Sequence, residues 1–331
     1  MDKLIFSKFL VLLLALPPLV SCTNNRIEFS KTKIALGTFV QINIISSESE
    51  STNAEIAAES VFKKIEEYEN IFDHRPESGS LNKFNNSTRI LKKNEKELFS
   101  LLTDSLDFAR LTGGYFDPTV LPIVQLYGFD TENPSFPGDD KILETLKTVG
   151  YGKVILYEDR IEKPLYVKFD LGGIAKGKIV DLIRDQLEQS GYTDYLINAG
   201  GDIYVRGLNR DKKKWKIAIQ DPVNENSYNA IIEKTNTAIV TSGDYERFFI
   251  EDGVKYSHLF NPKTGYPFSD CKSVTNLSED TTFADAAATA VFAMGSKNGY
   301  NFLSVKNIKG YIIYSTQKGK IETKSTPGFW D

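Results

Sequence analysis

Histidine, cysteine, tryptophan and methionine occur only twice each in this 331-residue chain. With His74 and His258 as the whole histidine complement, a three-histidine zinc centre cannot be built. Of the two cysteines, Cys22 ends an apolar leader and Cys271 stands alone in the body. Acylation of Cys22 would leave no intramolecular disulfide, so the fold must rest on its core. After the first twenty residues no apolar run is long enough to cross a bilayer. A Walker loop, a G-x-G-x-x-G fingerprint and a G-x-S-x-G elbow are all absent, which sets aside P-loop, Rossmann and serine-hydrolase chemistry. No repeat of fixed period points to a solenoid or propeller. Excess positive charge is missing too: the net charge is −4, and −5 without Asp2, Lys3 and Lys8 of the leader. That balance argues against a nucleic-acid partner.

What is present begins with an export signal. Lys3 and Lys8 precede the apolar run Phe9 to Leu16, and Leu19-Val20-Ser21-Cys22 resembles a bacterial lipobox. Residues 1–21 therefore read as a lipoprotein signal peptide and 22–25 as a lipidated Cys22 with a short tether. An ordinary signal peptide with a chance cysteine is the alternative. Acyl chains on Cys22 would hold the protein on a membrane surface of the bacterial envelope, facing the periplasm. Residues 26–331 form the body, long enough for one large domain or two closely packed ones.

Periodicity predicts a strand over 39–45, helices over 51–70 and 93–112, and a polar loop over 73–86 between the helices. A proline- and aromatic-rich stretch, 115–136, precedes a short helix over 139–148. In the second half, strands are expected near 153–157, 166–169, 195–198, 215–219, 230–232, 238–240, 248–250, 273–275 and 310–314. Helices are expected after Gly177 and around Asp285. The sum is an α+β fold with a largely antiparallel sheet and helices packed on it.

Several motifs pair residue types that chemistry uses. In Phe283-Ala-Asp-Ala-Ala-Ala-Thr-Ala-Val-Phe-Ala-Met-Gly295, Asp285 and Thr289 are four apart and share a helix face. A carboxylate and a hydroxyl on an alanine patch suit part of a Mg2+ site, or equally a buried cap and a helix-bonded Thr. Asp170-Leu-Gly-Gly-Ile-Ala-Lys-Gly177 joins a strand to a helix and offers free N–H groups and Lys176 to a phosphate, or is a simple Gly-Gly turn. Asn198-Ala-Gly-Gly-Asp202 and Thr241-Ser-Gly-Asp-Tyr-Glu-Arg247 are ligand loops or turns. His258, in Tyr256-Ser-His-Leu-Phe-Asn-Pro-Lys-Thr-Gly265, is a general base or a structural residue.

Taken together, these pieces resemble the FAD:protein FMN transferase family known as ApbE. The likeness runs through Ala35-Leu-Gly-Thr38, Arg75-Pro-Glu-Ser with Asn85, Thr112-Gly-Gly-Tyr-Phe-Asp-Pro-Thr119, the four motifs above and Asp285 with Thr289. The resemblance implies an enzyme that splits FAD, its substrate, and transfers FMN to a Thr or Ser hydroxyl of an acceptor flavoprotein, releasing AMP. The acceptor would carry an Asp-x-x-Ser/Thr-Gly/Ala-Ala-Thr segment. It further implies Mg2+ held by Asp285, Thr289 and the carbonyl of Gly173. FAD would be contacted by Leu36, His74, Tyr115, Phe116, Asp117, Asp170 and Lys176, with His258 and Asp285 as catalytic groups. An FAD pyrophosphatase and a non-catalytic lipid-anchored flavin-binding protein are the other readings. The chain departs from the family pattern at Leu36, where Met is usual, at His74, where Tyr is common, and at Asn261, where Asp follows the histidine.

Overall fold

The structure is a computed structural model describing residues 26–224, 226–267 and 270–331. The expected leader, lipidated Cys22 and tether lie outside the described residues. The described chain opens on a strand absent from the periodicity reading, β1 (Arg26–Ala35), which turns through Leu36-Gly37 into β2 (Thr38–Ser47). Both turn residues have positive φ, 55° and 69°, the geometry of a tight two-residue hairpin. Helix α1 (Ser51–Phe72) follows and buries Ala54, Ala58, Val61, Phe62 and Ile65, a stripe at helical spacing.

Next come α2 (Ser80–Ser87), β3 (Ile90–Lys92), α3 (Lys96–Leu111), α4 (Leu121–Leu126), α5 (Asp139–Leu146), β4 (Ile155–Leu156) and β5 (Arg160–Glu162). Two expectations fail here. The polar loop contains α2, because Leu81, Phe84 and Asn85 give it a buried face at helical spacing. The strand expected at 166–169 is reduced to one bridge between Lys168 and Val120. Asn85 is the reason: its carboxamide donates to the Phe169 carbonyl and accepts from the Phe169 N–H, both at 2.8 Å, standing in for a partner strand.

The second half runs α6 (Ala175–Gln189), β6 (Tyr195–Ala199), β7 (Asp202–Arg206), β8 (Trp215–Gln220), β9 (Tyr228–Lys234), β10 (Thr237–Gly243), β11 (Phe248–Glu251), β12 (Val254–Ser257), β13 (Cys271–Ser278), α7 (Thr281–Val305), β14 (Lys309–Ser315) and β15 (Ile321–Ser325). Eight strands form one sheet in the order β1-β2-β6-β7-β10-β13-β14-β15, antiparallel at every step. The expected α+β class with an antiparallel sheet is what the chain adopts.

One face of the sheet carries α1, α6 and α7 over the main core. The other is covered by the β8–β9 hairpin and Phe329, closing a second core around Trp215 and Ile313. A third cluster, Leu121, Ile123, Tyr127, Ile142 and Phe260, ties α4 and α5 to the loop after β12. Each large side chain so buried contributes about 1.5–3 kcal/mol. No described helix is long and apolar enough to cross a membrane.

Two features fix α7 where the site needs it. Its alanines, Ala284, Ala286, Ala287, Ala288 and Ala290, are fully buried, letting the helix lie close on the sheet. Its first turn is held by carboxylates: Phe283 N–H donates to Asp280, and Thr281 and Thr282 N–H donate to Asp181 of α6 at 3.0 and 2.8 Å. Negative charge at a helix N-terminus is stabilising.

Candidate active site

The ends of these elements surround a cavity of about 670 Å3, within the roughly 300–1,000 Å3 usual for small-ligand sites. Leu36 enters it from the β1–β2 turn, and His74 from the loop after α1. Tyr115, Phe116 and Asp117 follow the Gly113-Gly114 turn that ends α3. Asp170, Gly173 and Lys176 come from the turn into α6, His258 from the loop after β12, and Asp285 and Thr289 from α7. Every site residue expected within the described chain thus faces one space.

The oxygen-rich wall is built by the crossing of α6 and α7. Gly177 N–H donates to Asp285 Oδ2 at 3.0 Å, and Thr289 Oγ1 lies 3.5 Å from the Gly173 carbonyl. Only glycine fits at 177, because a Cβ there would stand 2.4 Å from the Thr281 carbonyl oxygen and 2.8 Å from Asp285 Cβ. Asp202, placed by the Gly200-Gly201 turn, accepts from Lys176 Nζ at 3.2 Å. Its other oxygen, Oδ2, is buried without a partner.

Charge is concentrated here. Burial and the adjacent Asp202 push the Asp285 carboxyl well above the usual range. Burial likewise raises Asp202, with Lys176 opposing it. For Lys176, burial pulls downward, but Asp202, Glu246 and Asp285 outweigh it and hold the ammonium charged. On the cavity wall, the Asp285 carboxylate, the Thr289 hydroxyl and the Gly173 carbonyl are a hard-oxygen donor set. Those residues fit a Mg2+ ion. Among the described residues no three His, Cys, Asp or Glu side chains cluster to hold a metal, so any such site draws on the hydroxyl and carbonyl as well.

His258 lines the same cavity. Its N–H donates to the Arg247 carbonyl at 3.0 Å and its Nδ1 lies 3.1 Å from the same oxygen. A carbonyl only accepts, so Nδ1 carries the hydrogen and Nε2 keeps its lone pair. Burial, then Arg247, push the His258 pKa down to about 3, and the ring is neutral at physiological pH. Asn261 shapes its own turn by accepting from Lys263 N–H at 3.0 Å.

Asp117 is already bonded within the wall. Both Asp117 oxygens are engaged, Oδ1 by Thr119 N–H and Oγ1 at 2.9 and 2.6 Å, Oδ2 by Tyr151 N–H at 2.9 Å. Asp117 therefore shapes the wall. Glu246, Arg247 and Asp130 also line the cavity without having been singled out. The first two sit in the Thr241–Arg247 motif, but only the fold shows which of its groups face inward. Asp130 carries no motif at all.

Comparison with known proteins follows from this geometry. The model of the ApbE family matches residues 36–312. A Vibrio cholerae relative named FAD:protein FMN transferase is 32% identical, covering 96% of this chain and 97% of its own. One of the same name from Haemophilus influenzae is 31% identical, covering 86% and 84%. Among solved structures, the flavin transferase ApbE from Vibrio cholerae superposes with a TM-score of 0.82 at 28% identity, over 92% of this chain and 98% of its own. The apbe protein of Thermotoga maritima gives 0.81 at 34% identity, over 89% and 96%.

Proposed function

The chain belongs to the ApbE family, and from that premise we propose that it is an FAD:protein FMN transferase. It moves FMN from FAD to a Thr or Ser hydroxyl of an acceptor flavoprotein and releases AMP, with Mg2+ held by Asp285, Thr289 and the Gly173 carbonyl. One observation carries the reading: a single cavity presents the oxygen set and charged Lys176 together with a neutral His258 whose Nε2 is free. When bound, Mg2+ neutralises charge on the pyrophosphate oxygens.

The chain's own residues do the rest. Lys176, in the first turn of α6, holds the pyrophosphate through its ammonium. His258 Nε2 takes the proton of the acceptor hydroxyl. That oxygen bonds to the phosphorus on the FMN side, the bond to the bridging oxygen breaks, and AMP leaves with that oxygen and its electron pair. Phe116 packs edge-on to Phe108 with ring centroids 5.5 Å apart, which fixes its ring in the cavity wall.

The test is incubation with FAD, Mg2+ and a soluble domain carrying an Asp-x-x-Ser/Thr-Gly/Ala-Ala-Thr segment, which should become covalently fluorescent. Unchanged labelling by Asp285→Ala would remove the metal assignment. Free FMN and AMP formed without acceptor would assign hydrolysis, and intact FAD after long incubation a binding protein. Export and acylation of Cys22, which would place the enzyme on the periplasm-facing membrane surface, complete the proposal. The mass of the mature N-terminus tests that part.

A further inference from the structure

One group lining the cavity takes no part in the proton and phosphoryl steps. The His74 backbone is fixed, its carbonyl accepting from Asn82 Nδ2 at 2.7 Å. Its imidazole Nε2 lies 2.9 Å from Asp130 Oδ2, on the loop between α4 and α5. Nδ1 lies 3.8 Å from Asp170 Oδ1, on the turn into α6. Asp170 is itself anchored, its N–H donating to the Pro118 carbonyl and its Oδ1 accepting from Gly172 N–H, both at 2.8 Å.

We propose that Asp130 is a positioning residue that, with Asp170, holds His74 as an imidazolium bridging two loops, so that its ring face forms a cationic stacking platform for a ring of FAD. The inference rests on the FMN transferase reading for its ligand. The 2.9 Å contact to Asp130 is a hydrogen bond, while the 3.8 Å contact to Asp170 is an ion-pair distance, at which a carboxylate attracts the imidazolium over the neutral ring. With both nitrogens turned to carboxylates, the ring keeps only its face for a ligand. A cation over an aromatic ring binds more tightly than a neutral ring does.

The surrounding charges agree. Arg75 is occupied by Asp73, with contacts of 2.6 to 3.0 Å, and Glu69 of α1 accepts from Leu36 N–H. Among the described residues, the cationic side chain in closest contact with Asp130 and Asp170 is His74. Burial pulls its pKa down, but the Asp130 hydrogen bond and the charges of Asp170, Asp130 and Asp73 outweigh it and raise the value above 6.5.

Two measurements test this. Imidazole NMR of the full chain contains only two histidines, so His74 is read directly. Its midpoint should lie above 6.5 in the native chain and fall in Asp130→Asn. A midpoint at or below 6.5, or one unmoved by Asp130→Asn, overturns the role of Asp130. FAD affinity, followed by flavin fluorescence between pH 6 and 9, should weaken roughly three- to tenfold as His74 loses its proton. The step should shift to lower pH in Asp130→Asn and vanish in His74→Tyr. A flat profile in the native chain, or a step surviving His74→Tyr, overturns the platform. No FAD binding at any pH would instead sink the transferase reading, while the NMR result would still decide the bridge.

Discussion

Replacing Gly177 by Ala should damage the enzyme from a position that carries no functional group. The added Cβ would lie 2.4 Å from the Thr281 carbonyl oxygen, 2.8 Å from the Thr281 carbonyl carbon and 2.8 Å from Asp285 Cβ. Two of those atoms are backbone, and that backbone is pinned by Asp181 through Thr281 and Thr282, so the first turn of α7 cannot give way freely. Alanine brings a helix-propensity gain of up to about 1 kcal/mol. Overpacking of this kind costs about 1–3 kcal/mol or more, and against unyielding backbone the clash wins. The expected net loss is about 1–2 kcal/mol, or roughly 2–3 °C in Tm for a chain of this size. Because Gly177 N–H also donates to Asp285, the shift should weaken Mg2+ binding at the proposed site and slow transfer together. Gly152→Ala is the control, since its Cβ would meet nothing within 4 Å. The assays are thermal unfolding and Mg2+ titration of both variants. A Gly177→Ala protein as stable as the native chain, with unchanged metal affinity, would refute the reasoning.

His258→Gln should lower kcat by about 10²- to 10⁴-fold while FAD affinity stays near native. Because the His258 pKa lies near 3, native kcat should not fall as pH drops through the ordinary histidine range. The same depression has a stability sign: below about 6.5 the unfolded chain binds the proton and the folded one does not, so stability is lost as pH falls toward 3. His258→Gln should flatten that part of a Tm-against-pH curve. Lys163 makes the complementary case. It is buried, with the Asn85 carbonyl at 3.5 Å and the Phe84 ring at 5.0 Å beside its ammonium, and burial, then Lys168, lower its pKa to about 8. Between pH 8 and 10.5 the unfolded state holds the extra proton, so this lysine's contribution to stability rises with pH. Lys163→Met should stabilise the protein at pH 7 by on the order of 1 kcal/mol and remove that rise, as thermal unfolding at pH 7 and pH 10 will show.

The chemistry-bearing residues were largely legible because their spacing is local. Asp285 and Thr289 need only a helix to become neighbours, and Lys176 needs only a turn into one. What brings those two segments together is not local. The crossing of α6 and α7 rests on Gly177 against Thr281, a contact between residues about a hundred apart that no window of sequence reveals. Strand β1 escaped because it is polar and stands at the sheet edge, where alternation is weak. The strand expected at 166–169 had the right composition but found a side chain, Asn85, where a neighbouring strand was needed. Asp130 lies in a loop with no periodic signal, and only the meeting of three loops gives it a partner.

The buried alanine face of α7 has a consequence for how the molecule breathes. A helix seated this closely on the central strands belongs to the part of a protein that opens only with global unfolding. Asp285 and Thr289 therefore sit in the region whose amides exchange most slowly with solvent. Asp130, His74 and His258 stand on loops, a class of segment that opens locally at lower cost than a packed helix. Local opening of those loops would leave Asp285 and Thr289 in place from one turnover to the next.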